Sequence, residues 1–234
     1  MKARLHSDFV DFYDHHFDSE GPIFKRMTRS GLTRPEMFFW LQGMGFRTPP
    51  FGRVKDVVNR FTKKEYVVYT DIEAHQGEGK LRLPHESAVR CHPDEFASLY
   101  IEPPFHPKRK AYVAVHYRCL KIGDSFYWME YLQTRERFVE WRSNVGEVEI
   151  TLLHSDTHAY KQYRSEFHSI ENLLHYTNIP LLAIDLIPHP KRRGLLFAID
   201  MNISPQIKGT GLEGILEPSF IVKAIKESFG KQIG

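Results

Sequence analysis

Two apolar runs late in the chain each carry a carboxylate, and this pattern most constrains what the segment can become. The first reads Leu181-Leu182-Ala183-Ile184-Asp185-Leu186-Ile187. After a turn comes Leu195-Leu196-Phe197-Ala198-Ile199-Asp200-Met201-Asn202-Ile203-Ser204-Pro205. Both read as strands. Side chains alternate faces along a strand, so Asp200 and Asn202 point the same way, and Asp185 joins them if the strands pair. An apolar strand loses stability by carrying an ionised carboxylate unless a cation or hydrogen bonds compensate. Three hard oxygen donors on one sheet face suit Mg²⁺, which usually also holds a nucleotide phosphate. The plainer alternative puts both aspartates at strand ends, capping turns.

The 234 residues suffice for one large domain or two small lobes. No apolar run is long enough to span a bilayer, and Met1 to Asp8 lacks the apolar stretch of a signal peptide. Cys91 and Cys119 have no partner at metal-type spacing, which fits a reducing, cytoplasmic setting. A formal charge of +3 is too small to argue for nucleic-acid binding. The basic runs Lys108-Arg109-Lys110 and Lys191-Arg192-Arg193 are short and read as solvated.

Along the chain, helices are expected at Ser7–Phe17, Pro35–Gly43, Pro93–Leu99, Ser165–Tyr176 and Pro218–Phe229. Strands are expected at Tyr66–Thr70, Leu81–Leu83, Ala111–Ile122 and Ser125–Leu132, the last two joined by a Gly123-Asp124 turn. Pro103-Pro104 and Pro107 mark a hinge. The class is α+β, mostly antiparallel.

Other segments could contact phosphate. Gln76-Gly77-Glu78-Gly79-Lys80 permits close backbone approach, although it is no Walker A loop and a simple hairpin tip explains it nearly as well. Arg118, Arg142 and Asn144 offer donors for phosphate or sugar oxygens. The loop after the acidic strands, with Ser204, Lys208 and Gly209, could bind substrate. His154 and His158 are four apart, but Asp156-Thr157 between them reads as turn.

In these motifs the chain resembles the ATP-grasp superfamily, especially amide-forming ligases such as the glutamate ligases of ribosomal protein tails and D-alanine–D-alanine ligase. Asp185 matches the family's first acid, Asn202 its asparagine, and Ser204-Pro205 the small residue and proline that follow. Asp200 stands where the family more often has Glu. Tyr117 to Asp124 is similar to the "Arg, apolar strand, Gly-Asp" hairpin, and Trp141-Arg142-Ser143-Asn144 to the Phe-Arg-Ser-Asn of the glutamate ligases. Met37 to Pro50 is similar to the opening of the ATP-binding lobe, and Tyr66 to Leu83 to its glycine-loop hairpin.

The resemblance implies a two-lobed α+β fold with mostly antiparallel sheets and flanking helices. It implies an N-terminal helical segment at 1–30, a smaller lobe at 31–105 and a larger lobe at 106–234. It implies Mg²⁺ on Asp185, Asp200 and Asn202. ATP would meet Gly77, Gly79, Lys80, Asn144 and a hinge of Tyr100, Ile101 and Glu102. Arg118 and Arg142 would steady the transferred phosphoryl group. The partners implied are a small-molecule or peptide carboxylate and an amine. Two departures stand out: the strand that usually bears a phosphate-binding Lys reads Val67-Val68-Tyr69-Thr70, and Gln206 replaces a Gly. Lys80, Lys55 or Arg53 could take over from the missing Lys. The alternative function is a non-catalytic nucleotide-binding or assembly protein on a degenerate scaffold of the same kind.

Overall fold

The computed structural model describes residues 32–58, 61, 64–72, 79–104, 113–134, 148–177, 179 and 181–203. The expected helices at Ser7–Phe17 and Pro218–Phe229 lie outside these residues.

Helix α1 spans Arg34–Gly43. Thr33 begins it with a capping box: its hydroxyl accepts from the Glu36 amide while the Glu36 carboxylate accepts from the Thr33 amide at 3.0 Å. Gly45, at φ 91°, ends it. The Phe46 amide returns to the Leu41 carbonyl at 2.9 Å and the Gly45 amide to Gln42 at 3.0 Å, which closes a Schellman motif.

A four-stranded antiparallel sheet follows, built from β1 (Phe51–Arg53), β2 (Glu65–Tyr69), β3 (Lys80–Pro84) and β4 (Phe96–Leu99) in the order β1-β4-β2-β3. Two short helices, α2 (Val54–Val58) and α3 (His85–Cys91), cover one face. There Val54, Val57, Tyr66, Val68, Ala88 and Ala97 form a small core. The other face presents Tyr69 and Phe96 to α1, whose Phe38 ring lies 6.3 and 5.9 Å from theirs.

The expected helix at Pro93–Leu99 is not formed. The helix lies earlier, starting just after Pro84, and Phe96–Leu99 is strand β4. Phe96, Ala97 and Ser98 are all buried because α2 and α3 cover the Ala97 face of β4 while α1 covers the face with Phe96 and Ser98. A strand buried on both faces loses its period-two signature.

The second sheet is antiparallel with five strands, in the order β7-β6-β5-β8-β9. Strands β5 (Val113–Ile122) and β6 (Ser125–Thr134) form the expected hairpin, with Gly123 at φ 60° in its two-residue turn. Strand β7 (Val148–Leu152) lies at one edge, and β8 (Leu181–Pro188) and β9 (Leu196–Ile203) complete the other side. Helix α4 (His158–His175) begins seven residues before the expected Ser165. It buries Tyr163, Phe167, Ile170 and Leu174 on one stripe, with Phe167 stacked on Trp128 at 3.7 Å.

The larger core is continuous from α1 through Tyr69 and Phe96 to the α4 face of the second sheet. Buried Lys121 sits at its margin. Its ammonium donates to the Leu174 carbonyl (3.0 Å), the Thr177 carbonyl (2.6 Å) and the Thr177 hydroxyl (3.1 Å), capping the C-terminal end of α4.

Candidate functional site

Strand β9 contains the irregularity that builds the site. Asp185 pairs with Asp200, but Leu186 pairs with Ala198, so Ile199 is an extra residue in β9. Strict alternation would send Ala198 and Asp200 to the same face. The bulge reverses the parity between them. Leu196 and Ala198 therefore enter the core, Met201 does so beyond the bulge, and Asp200 and Asn202 face the opposite way. Arg118 lies opposite Asp185 on β5, so one sheet face carries Arg118, Asp185, Asp200 and Asn202. The turn-capping alternative fails: Asp185 and Asp200 lie within their strands.

Cations meet both carboxylates. Arg118 grips Asp185 through Nε and Nη2, the Nη2–Oδ2 arm measuring 2.8 Å. Asp185 outweighs the burial that opposes the guanidinium's charge, so Arg118 is held even more firmly protonated than usual. Asp200 Oδ1 accepts from Arg34 Nη1 at 2.6 Å and from the Met201 amide at 2.9 Å. Lys80 Nζ lies 3.7 Å from Asp200 Oδ2. Burial pushes the Asp200 carboxyl up, but Lys80 and Arg34 prevail and leave it below the ordinary carboxylate range. Burial lowers Lys80, and Asp200 only partly offsets this.

Arg34 and Lys80 reach Asp200 from the side of the first sheet. Arg34 is the first residue of α1, and its backbone amide donates to the Ile72 carbonyl at 2.9 Å. Lys80 opens β3 opposite Tyr69. The Tyr69 ring lies 5.8 Å from the Arg34 guanidinium and 5.9 Å from the Lys80 ammonium. Burial pushes the Tyr69 hydroxyl up to about 12.

Of the three stand-ins for the missing strand lysine, Lys80 comes to this face. Lys55 pairs with Asp94 at 2.7 Å on the surface, and Arg53 is exposed at the end of β1. Gly79 has a local role: a Cβ there would stand 2.7 Å from that of Asp71, and its φ is +62°. The Tyr100–Glu102 segment follows β4. Ile101 is buried, Glu102 is exposed, and Arg82 lies 4.0 Å over the Tyr100 ring while also pairing with Glu65. Gly77, Arg142, Asn144, Ser204, Lys208 and Gly209 lie outside the described residues, as does Lys108-Arg109-Lys110. Lys191, Arg192 and Arg193 are exposed in the β8–β9 turn.

Sequence reasoning missed Arg34. The only local sign was an arginine just before the proline that opens a helix. Its partner lies 166 residues away.

No cluster of three or more His, Cys, Asp or Glu side chains that could hold a metal occurs among the described residues. His154 precedes α4 and His158 is its first residue, with a turn between them. The candidate donors are instead two carboxylates and an amide, all hard oxygen ligands, and that chemistry fits Mg²⁺.

No family model and no curated protein matches the chain by sequence. Solved structures do match by fold. The chain is similar to a RiPP-associated ATP-grasp ligase of Chryseobacterium gregarium in complex with ADP and a leader and core peptide, with TM-score 0.56 and 12% identity over 99% of this chain and 69% of that one. It is similar to D-alanine–D-alanine ligase of Bacillus anthracis, with TM-score 0.55 and 11% identity over 86% of this chain and 69% of that one. It is similar to D-cycloserine synthetase, with TM-score 0.57 and 11% identity over 96% of this chain and 80% of that one. The fold is that of the ATP-grasp ligases. The expected α+β class, with two antiparallel sheets and flanking helices, is the ATP-grasp arrangement found. No helix among the described residues is long and apolar enough to cross a membrane.

Proposed function

We propose that this chain is an ATP-dependent carboxylate–amine ligase whose nucleotide lies between the two sheets. The observation that carries the reading is the in-register pair of Asp185 and Asp200, with Asn202 on the same face and Lys80 and Arg34 facing them from the first sheet's side. Oxygen donors and buried cations together are what a metal-bound triphosphate requires. Asp185, Asp200 and Asn202 would hold Mg²⁺, which neutralises phosphate charge when bound.

In the first step a substrate carboxylate oxygen attacks the γ-phosphorus of ATP. The bond to the β-phosphate oxygen breaks, ADP leaves and an acyl phosphate forms. In the second step an amine attacks the acyl carbon, loses a proton and expels phosphate. Positioning and charge stabilisation suffice for the first step, so no nucleophilic side chain is needed. Arg118 would meet the transferred phosphoryl oxygens together with Arg142. Lys80 would bind phosphate in place of the lysine that the Val67-Val68-Tyr69 strand lacks. Tyr100 to Glu102 would border the adenine, with Asn144 nearby, and Gly77 and Gly79 would lie over the phosphates. Ser204, Lys208 and Gly209 would face the substrate.

The fold neighbours support a small or peptide substrate: one is named as a complex with a leader and core peptide, another as a D-alanine–D-alanine ligase. The division into 1–30, 31–105 and 106–234 belongs to this reading, as does a cytoplasmic setting.

The test is ADP release from Mg-ATP across a panel of amino acids, peptides and amines, with an Asp200→Ala/Asn202→Ala variant as control. Release that needs both an acid and an amine and is lost in the variant is expected. Nucleotide binding without turnover across the panel would leave a nucleotide-binding protein in place of a ligase.

A further inference from the structure

Two side chains and a loop carbonyl hold the outer edge of β9 just before its bulge. The Leu196 amide donates to Glu166 Oε1 at 3.1 Å, and the Leu196 carbonyl accepts from Arg47 Nη1 at 3.3 Å. The Ala198 amide donates to the Arg47 carbonyl at 2.8 Å. Arg47 Nη1 also donates to Glu166 Oε1 at 2.5 Å, which closes the group. Leu196 and Ala198 are two residues apart and so present their backbone groups to the same edge.

This clasp is rigidly joined to α1. Arg47 directly follows Phe46, whose amide is bonded back to Leu41, so Arg47 moves with the helix. The same turn lies against α4, where a Cβ on Gly45 would stand 3.4 Å from Leu173. At its other end α1 begins with Arg34. That guanidinium meets Asp200 Oδ1 at 2.6 Å, Met37 Sδ at 3.7 Å and the Tyr69 ring at 5.8 Å. Helix α1 is thus fastened to β9 on both sides of the Ile199 bulge, at Leu196 and Ala198 before it and at Asp200 after it. Resting on the nucleotide reading above, we propose that Arg47 and Glu166 are positioning residues: they fix α1 along β9, so that Arg34 stands at the phosphate end of the site.

Packing alone does not set this position. Met37, Phe38 and Leu41 share the larger core with Leu196, Ala198 and Met201, but apolar contact is non-directional and tolerates sliding along the helix axis. Hydrogen bonds weaken steeply with geometry. A displacement of about 1 Å along its bond would carry Arg34 out of hydrogen-bonding range of Asp200. The Arg47 side chain is 42% exposed, so its ion pair with Glu166 is screened and contributes little to stability by itself. Its contribution is to where α1 lies.

The test is a double-mutant cycle on the full chain, read as Mg-ATP affinity by calorimetry. Glu166→Leu removes the acceptor shared by Leu196 and Arg47 and should weaken binding by about fivefold. Glu166→Gln keeps an oxygen in place and should stay within about twofold of the wild type. In an Arg34→Met background the effect of Glu166→Leu should shrink to less than about twofold. Glu166 meets Arg47 and Leu196 while Arg34 meets Asp200, so that loss of effect marks transmission between the two ends and not local stability. Arg47→Met repeats the cycle from the other side of the pair if Glu166→Leu does not fold. An equal effect of Glu166→Leu in both backgrounds overturns the proposal, as does unchanged affinity in Glu166→Leu, and either result leaves the nucleotide site intact. Absence of Mg-ATP binding by the wild type removes the nucleotide reading itself, and this proposal with it.

Discussion

Lys121 and Lys80 are both buried lysines on strands, and they are held in opposite ways. Lys121 is satisfied within its own half of the molecule by two carbonyls and a hydroxyl at the end of α4. Lys80 is satisfied across the molecule, by a carboxylate on the other sheet at 3.7 Å. Burial lowers both below the ordinary lysine range. The difference lies in what each partner can do. Backbone carbonyls at a helix end have no other use, so Lys121 is a structural cap. Lys80 instead meets a carboxylate on a face of oxygen donors, and under the proposed function it would bind phosphate there. Burial of a charge alone identifies neither role; the partner does.

The largest expected effect breaks the comparison on the structural side. Lys121→Ala takes the ammonium from the Thr177 carbonyl, while the Leu174 carbonyl keeps the Thr177 hydroxyl and amide as donors, and should cost roughly 1–3 kcal/mol in urea denaturation. Nucleotide affinity of the folded variant should stay within about twofold of the wild type. A larger loss of affinity would mean that Lys121 has a role beyond capping.

The next effect sharpens the functional side. Lys80→Met should weaken Mg-ATP binding by about tenfold, ~1.4 kcal/mol. Stability should fall less than for a buried pair broken outright, because Asp200 keeps Arg34 as its partner. Unchanged affinity in calorimetry would show that Lys80 is only another structural cation.

The smallest effect concerns acid. The folded-state pKa of Asp200 lies below its ordinary value, so its contribution to stability is complete above that value. The contribution is lost as pH falls below about 4 and through the depressed value. Stability of the wild type should therefore decline more steeply below pH 4 than that of Asp200→Asn. Parallel acid limbs would contradict the pairing with Lys80 and Arg34.

The strands β2, β3, β5, β6, β8 and β9 were legible because each carries apolar or β-branched runs bounded by turn residues. Helix α1 was legible from its proline start and glycine end. Strand β4 was not, since burial on both sides removes alternation from so short a segment. The shared face of Asp185, Asp200 and Asn202 on the large sheet was legible, because each stands out by polarity inside an apolar strand. The bulge at Ile199 was not, because pairing register is a property of two strands and leaves no mark in one. Arg34 escaped for a related reason: only folding brings α1 to β9, so nothing near Arg34 in the chain pointed to Asp200.

The central claim is that Asp185, Asp200 and Asn202 form the metal end of an ATP site. Isothermal calorimetry of ATP with and without Mg²⁺, on the wild type and on Asp200→Ala/Asn202→Ala, tests it most directly. The expected result is Mg²⁺-dependent binding by the wild type that falls by about 100-fold or more in the double variant, ~2.7 kcal/mol. Binding that ignores Mg²⁺, or that survives unchanged in a folded double variant, would contradict it.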